Sequence, residues 1–178
     1  MNFLAISGSA RAASTNTAML NAVSNITADD HIVTVFSNIA DLPVFSPDAE
    51  GDALPAPVEQ LARLIRESDG LIVASPEYVR AIPGGLKNAI DWLVSRDEII
   101  AKPIVLMHAS HRGDDMLAQL RLVLATVSDR FMPDLFLRFS LMNLPSGDIE
   151  DTLQNPPHAQ QIKDFLKDFE ARCMSDLA

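Results

Sequence analysis

Arg11 is the only charged side chain in the first 28 residues, and it sits in a loop suited to receiving negative charge. The loop reads Ser7-Gly8-Ser9-Ala10-Arg11-Ala12-Ala13-Ser14-Thr15-Asn16. Glycine permits a sharp turn, and hydroxyls together with the free N–H groups of a helix start supply donors. A guanidinium can grip a phosphate through two parallel hydrogen bonds. The stretch therefore looks like a site for a terminal phosphate. Helix capping by Ser14 or Asn16, with Arg11 simply solvated, is the competing reading. Another loop, residues 108–115 (HASHRGDD), carries two histidines, but with no cysteine and no third clear ligand beside them they make a weak metal site. Neither a GxGxxG nor a Walker A pattern occurs in the chain.

The elements that must position these loops are legible as alternating patterns. Residues 2–7 (NFLAIS), 31–36 (HIVTVF), 70–75 (GLIVAS) and 103–109 (PIVLMHA) are near-continuous apolar runs, as buried parallel strands should be. Residues 135–141 (LFLRFSL) are a weaker fifth. Between them apolar residues recur on one helical face. Met19, Val23 and Ile26 form one stripe; Val58, Leu61 and Ile65 another, behind Pro55 and Pro57; Leu86, Ile90 and Leu93 a third, behind Pro83. Leu117, Leu120, Leu124 and Val127 form a fourth. Ile162, Phe165, Leu166, Phe169 and Cys173 form a fifth, after Pro156 and Pro157, so Cys173 reads as a core-facing hydrophobe.

Five strands and five helices in strict alternation predict an α/β fold, a doubly wound five-stranded parallel sheet of order 2-1-3-4-5. Ligands of such sheets bind beyond the strand ends where the order reverses, which directs attention to the loops after strands one, three and four. Four of the seven glycines, Gly8, Gly84, Gly85 and Gly113, lie in or just after them. Residues 37–54, rich in proline and acid, form an unusually long connection, either functional or an ordinary surface excursion.

Composition bounds the function classes. With 178 residues, 48% hydrophobic and 21% charged, the chain is expected to form one globular domain, 1–178. A net charge of −10 argues against binding nucleic acid or an anionic membrane. The nine acids of residues 29–69 contrast with the acid-free first 28. One cysteine excludes a disulfide framework and a cysteine-held iron–sulfur cluster, and suits a reducing compartment. The first ten residues lack a basic n-region and no apolar run approaches 18 residues, so the expected location is the cytoplasm.

Residues 76–93, PEYVRAIPGGLKNAIDWL, resemble the signature of the NADPH-dependent FMN reductase family, roughly PEYNxSxPGxLKNAIDWL. The segments GSARAASTN, DLPVFSPD and AQLRLVL resemble that family in the same order, so the likeness spans most of residues 1–125. The resemblance implies a flavodoxin-like fold holding FMN across the strand ends. It implies that Ser9, Arg11, Ser14, Thr15 and Asn16 take the phosphate. Pro76, Glu77, Tyr78 and Val79 would border the isoalloxazine, and Ser110 and His111 would close its other side. NADPH or NADH would supply electrons, which pass to free flavin, a quinone or a similar small acceptor. In such enzymes the cofactor does the chemistry, so no side chain is assigned as acid or base. Arg80 and Arg112 are the candidates for the phosphates of the nicotinamide nucleotide. Relatives of this kind assemble as dimers or tetramers.

The chain departs from the family pattern in two places. Val79 replaces an asparagine and is followed by Arg80, a cation; and residues 108–115 replace a glycine-rich stretch. Asp114 and Asp115 precede the fourth helical stripe, where an N-cap and first turn belong, and capping is the expectation for them. The alternative to a reductase is a flavodoxin-type electron carrier, which holds FMN without accepting hydride. A third reading, a domain that lost its flavin, rests on those two aspartates.

Overall fold

The computed structural model describes residues 1–51 and 54–175. Five strands, β1 (Asn2–Ser7), β2 (Ile32–Phe36), β3 (Gly70–Ala74), β4 (Ile104–His108) and β5 (Phe131–Arg138), form one parallel sheet of order β2-β1-β3-β4-β5. Every residue of β3 and β4 is buried, which is why their sequences carry no polar alternation.

Successive strand side chains point to opposite faces, and each face has its own core. Leu4, Ile6, Leu71, Val73, Ile104 and Leu106 meet α2 (Ala56–Glu67), α3 (Gly84–Asp91), α4 (Asp97–Ile100) and α5 (Asp114–Val127). Phe3, Ala5, Ile72, Ala74, Val105 and Met107 meet α1 (Thr15–Ile26), α6 (Ile149–Gln154) and α7 (Pro156–Ser175). Cys173 is buried in this second core beside Phe169, both against Gly70, where a Cβ would lie 2.6 Å from the Phe169 ring.

The structure corrects three details of the pattern reading. Two short helices, α4 and α6, interrupt the strict alternation; four and six residues are too short to show a 3.6-residue period. The double proline lies inside the first turn of α7, where missing N–H groups cost nothing. The fifth strand begins at Phe131, four residues earlier than its apolar run. The pairing Ile104↔Phe131 and Leu106↔Phe136 leaves an irregularity containing Pro133 and Asp134, and only an edge strand tolerates that proline.

The long connection between β2 and α2 is organised by the helix after it in the site. Through residue 51 it holds two 3-10 turns, Ile39–Asp41 and Pro47–Ala49; Asp52 and Ala53 lie outside the described residues. Asn88 on α3 accepts from the Phe45 N–H at 2.8 Å and donates to the Pro43 carbonyl at 2.9 Å. Trp92 Nε1 donates to the same carbonyl at 2.8 Å, and its ring meets Phe45 edge-on. Two of the most distinctive residues of the 76–93 motif thus anchor a loop. Asn88→Ala removes two hydrogen bonds and leaves the Phe45 N–H unpaired. It should cost about 1–3 kcal/mol, read as a lower urea midpoint with an unchanged m-value.

Candidate active site

A cavity of about 330 Å³ opens at the carboxyl ends of β1, β3 and β4, where the strand order reverses. Thr15 and Asn16 line it from the first loop, and Pro76 and Glu77 from the second. His108, Ala109, Ser110, Arg112 and Gly113 line it from the third, and Met142 from beyond β5. Six of the thirteen expected binding residues are therefore gathered on one cavity: Thr15, Asn16, Pro76, Glu77, Ser110 and Arg112. Ser9, Arg11, Ser14, Tyr78, Val79, Arg80 and His111 lie in the same three loops but outside the lining.

The first loop leaves β1 with a close approach. Gly8 donates to the Ala74 carbonyl at 2.7 Å, and a Cβ at Gly8 would lie 2.8 Å from Leu86 Cδ2 and from Ser75 Oγ. Ser9 is buried and its hydroxyl accepts from the Arg11 N–H at 3.2 Å, which shapes the turn. The Arg11 side chain is exposed and has no acidic partner among the described residues. Ser14 caps α1 by accepting from the Thr17 N–H at 3.3 Å, so the capping reading holds for this residue. Asn16 is buried, and its Oδ1 has no hydrogen-bond partner among the described residues. A buried acceptor left unpaired on a cavity wall calls for a donor from whatever occupies the cavity.

The second loop ends in a two-residue hairpin. Tyr78 and Ala81 exchange backbone hydrogen bonds at 3.2 and 3.0 Å around Val79 and Arg80, whose φ values are +51° and +59°. Positive φ at both central residues is the type I′ geometry, which favours Asn-Gly. Valine is poorly suited to it, because its branched Cβ crowds the backbone. Val79 is also 98% exposed, so packing offers no compensation. Arg80 donates from Nε to Asp115 at 2.5 Å, across to the start of α5, so the cation expected to serve a nucleotide phosphate has an acidic partner. Arg112, the other such candidate, is exposed on the cavity wall.

The third loop corrects the capping expectation. The N-cap of α5 is Gly113, at φ +102°, and Asp114 and Asp115 are already in the first turn with no side-chain cap bond. The cap comes from another element: Glu77 Oε2 accepts from the Met116 N–H at 3.1 Å. Asp114 pairs with Arg138 and Asp115 with Arg80, both away from the cavity lining. Their charges still oppose the positive end of the helix dipole.

His108, at the end of β4, has no binding role in the sequence pattern, yet both of its ring nitrogens are held by the surrounding backbone. It is 1% exposed. Nδ1 lies 3.1 Å from the Ser75 carbonyl and Nε2 lies 2.6 Å from the Arg112 carbonyl. Gly113 packs against the ring so closely that a Cβ would sit 2.7 Å from Nε2. Burial holds the imidazole pKa below its ordinary value, aided by the neighbouring Arg138; the two carbonyls and Asp114 oppose that shift. Apolar flanking residues concealed this role in the sequence, since a histidine at a strand end has no periodic signature.

A doubly wound parallel sheet with a cavity at its switch point defines an open α/β protein of the kind whose ligands bind beyond the strand ends. Residues 1–143 match the NADPH-dependent FMN reductase family, and the chain belongs to it. It is 40% identical over 109 residues to a quinone reductase of Escherichia coli, covering 60% of this chain and 57% of that protein. A protein of Oryza sativa named "Probable NADPH:quinone oxidoreductase 2" is 31% identical over 181 residues, covering 94% of this chain and 86% of its own. The fold is shared with the flavoenzyme NAD(P)H:(acceptor) oxidoreductase of Paracoccus denitrificans, at TM-score 0.73, 22% identity, and coverage of 96% and 98%. The chain thus spans little more than half the length of its Escherichia coli relative.

The hairpin strain yields a stability test. Val79→Asn places a residue that tolerates positive φ at the same exposed position. The variant should be more stable by roughly 1 kcal/mol, seen as a raised thermal midpoint.

Proposed function

We propose that this chain is an FMN-dependent NAD(P)H oxidoreductase that passes electrons to free flavin or a quinone-type small acceptor. The observation that carries the reading is the buried Asn16 Oδ1 on the wall of a switch-point cavity, in a loop whose Arg11 is exposed, neither having a partner among the described residues. The donor set fits FMN. Arg11, the hydroxyls of Ser9, Ser14 and Thr15, and the free N–H groups at the start of α1 would hold the phosphate. Asn16 would accept from a hydroxyl or ring N–H of the same ligand. Pro76, Glu77, Tyr78 and Val79 would border the ring system on one side, with Ser110 and His111 on the other.

When bound, FMN supplies the redox chemistry, taking hydride from NADPH or NADH and releasing electrons one or two at a time. The protein's part is to orient and to exclude. Glu77 ties the second loop to α5 through the Met116 N–H, which keeps two cavity walls in register. The salt bridges of Asp114 and Asp115 direct both carboxylates toward Arg138 and Arg80, which removes the ground for a domain that lost its flavin. Arg112 is the better placed of the two candidates for a nicotinamide phosphate, since Arg80 must first leave Asp115.

The functional unit in this reading is one flavodoxin-like domain, 1–178, with both cores built on a single sheet. Among the described residues no helix is long and apolar enough to cross a membrane. A cytoplasmic location agrees with the lone buried cysteine. Assembly as a homodimer or homotetramer would cover apolar surface such as Val44 and Val79, and light scattering measures it.

Anaerobic NADPH or NADH should bleach the visible band of the FMN-loaded protein within the turnover time. A band that persists with both nicotinamides, yet bleaches with a reductase partner, would identify an electron carrier instead. Arg11→Ala should weaken FMN about ten- to a hundredfold, for a charge-assisted bond of roughly 1.5–3 kcal/mol. Riboflavin, which lacks the phosphate, should bind the variant and the parent alike; equal losses for both flavins would exclude Arg11 from the phosphate.

A further inference from the structure

His108 is in an environment that no single protonation state satisfies. A neutral imidazole carries one N–H, yet both ring nitrogens face carbonyl oxygens, Ser75 at 3.1 Å and Arg112 at 2.6 Å. One of those carbonyls therefore meets a lone pair. An imidazolium would donate to both, but it would place a charge on a side chain that is 1% exposed. The charged groups around it come from each neighbouring element. Arg138 is its register partner on β5, Asp114 lies at the start of α5, Glu77 comes from the second loop, and Arg112 belongs to its own loop. Arg138 is itself paired with Asp114, so these two nearly cancel. With burial holding the ring neutral and these two charges opposed, the remaining variable is the charge of the cavity that the ring lines.

We propose that His108 is a charge-compensating residue of the cavity, neutral beside oxidised FMN and protonated when FMN is reduced. The inference rests on the FMN reading above. NAD(P)H is oxidised and gives up a hydride; the bound FMN receives both electrons with that hydrogen and gains one negative charge. One proton from solvent forms a new N–H bond at the free ring nitrogen of His108, and no bond of the protein breaks. The new N–H finds its acceptor already in place, since both carbonyls are within reach of the ring. A quinone that leaves as hydroquinone takes two electrons and two protons, one carried with the flavin and one returned from His108. The ring also staples the second loop to the third, so protonation tightens the wall it belongs to without moving it.

The sign of the pH effect follows directly. The imidazole pKa is below its ordinary value in the free protein and rises when negative charge enters the cavity. Between those two limits, reduction draws one extra proton per two electrons. The midpoint potential of the bound FMN should then fall more steeply with pH in the parent than in His108→Gln, by about 30 mV per pH unit. Glutamine keeps one N–H donor for a carbonyl but cannot titrate. Dye-equilibrium titration from pH 6 upward reads the slopes, and parallel lines for the two proteins would overturn the proposal. Ring nitrogen NMR of the unmutated holoprotein decides the matter even where His108→Gln folds poorly. At pH 7 the His108 shifts should be those of a neutral ring before reduction and of an imidazolium after it, and a ring neutral in both states overturns the assignment. Protein that takes up no FMN at all would sink the functional reading as well, whereas FMN bound with an unresponsive His108 would sink this inference alone.

Discussion

The Gly8 N–H bonded to the Ala74 carbonyl at 2.7 Å is the contact on which the rest of the site depends. It is the final rung between β1 and β3, and beyond it the two chains part in opposite directions. The first loop turns toward α1, and the second turns toward α3 on the other face of the sheet. A cavity forms there because no strand continues between them. The approach is possible only because Gly8 has no Cβ, which would collide with both Leu86 and Ser75. Leu86 belongs to α3, so the same contact seats the helix that holds the 37–51 loop through Asn88 and Trp92.

From that seam outward, the loops hold one another more than they hold the core. Glu77 caps α5, Arg80 reaches Asp115 on the same helix, and Gln119 on α5 donates back to the Arg80 carbonyl at 2.9 Å. His108 links Ser75 to Arg112. The third loop takes part through His108, and Asp115 at the start of α5 meets Arg80. The Arg80–Asp115 bridge is exposed and contributes little to stability. Its effect is on geometry, since it spans the second loop and α5 at the cavity mouth. The left-handed pair Val79–Arg80 sits at the tip of this arrangement, where strain is least shared with the core.

Charge follows the same division. Residues 1–28 contribute no carboxylate near the first loop, and the acids nearest the cavity are each committed to a partner. An acidic protein can therefore keep two exposed cations, Arg11 in the first loop and Arg112 on the cavity wall, without a basic surface.

Sheet order and the two-faced core were legible in the sequence, because central parallel strands buried on both faces must be apolar throughout and glycine and proline mark the ends of elements; the cavity lies at the loops that this order singles out. The first loop was legible in the same way, as a lone arginine among small hydroxyl residues directly after a strand. What only the tertiary structure decided were pairings between residues distant in the chain. Glu77 is 39 residues from the N–H it caps, Asn88 is 45 from Pro43, and Arg80 is 35 from Asp115. Asp114 and Asp115 have the composition of caps, but Gly113 took the turn and left them one position too late. His108 illustrates the limit best. Its sequence neighbours mark a strand end, and its environment of two carbonyls and a cavity wall is made entirely by chain brought there through the fold.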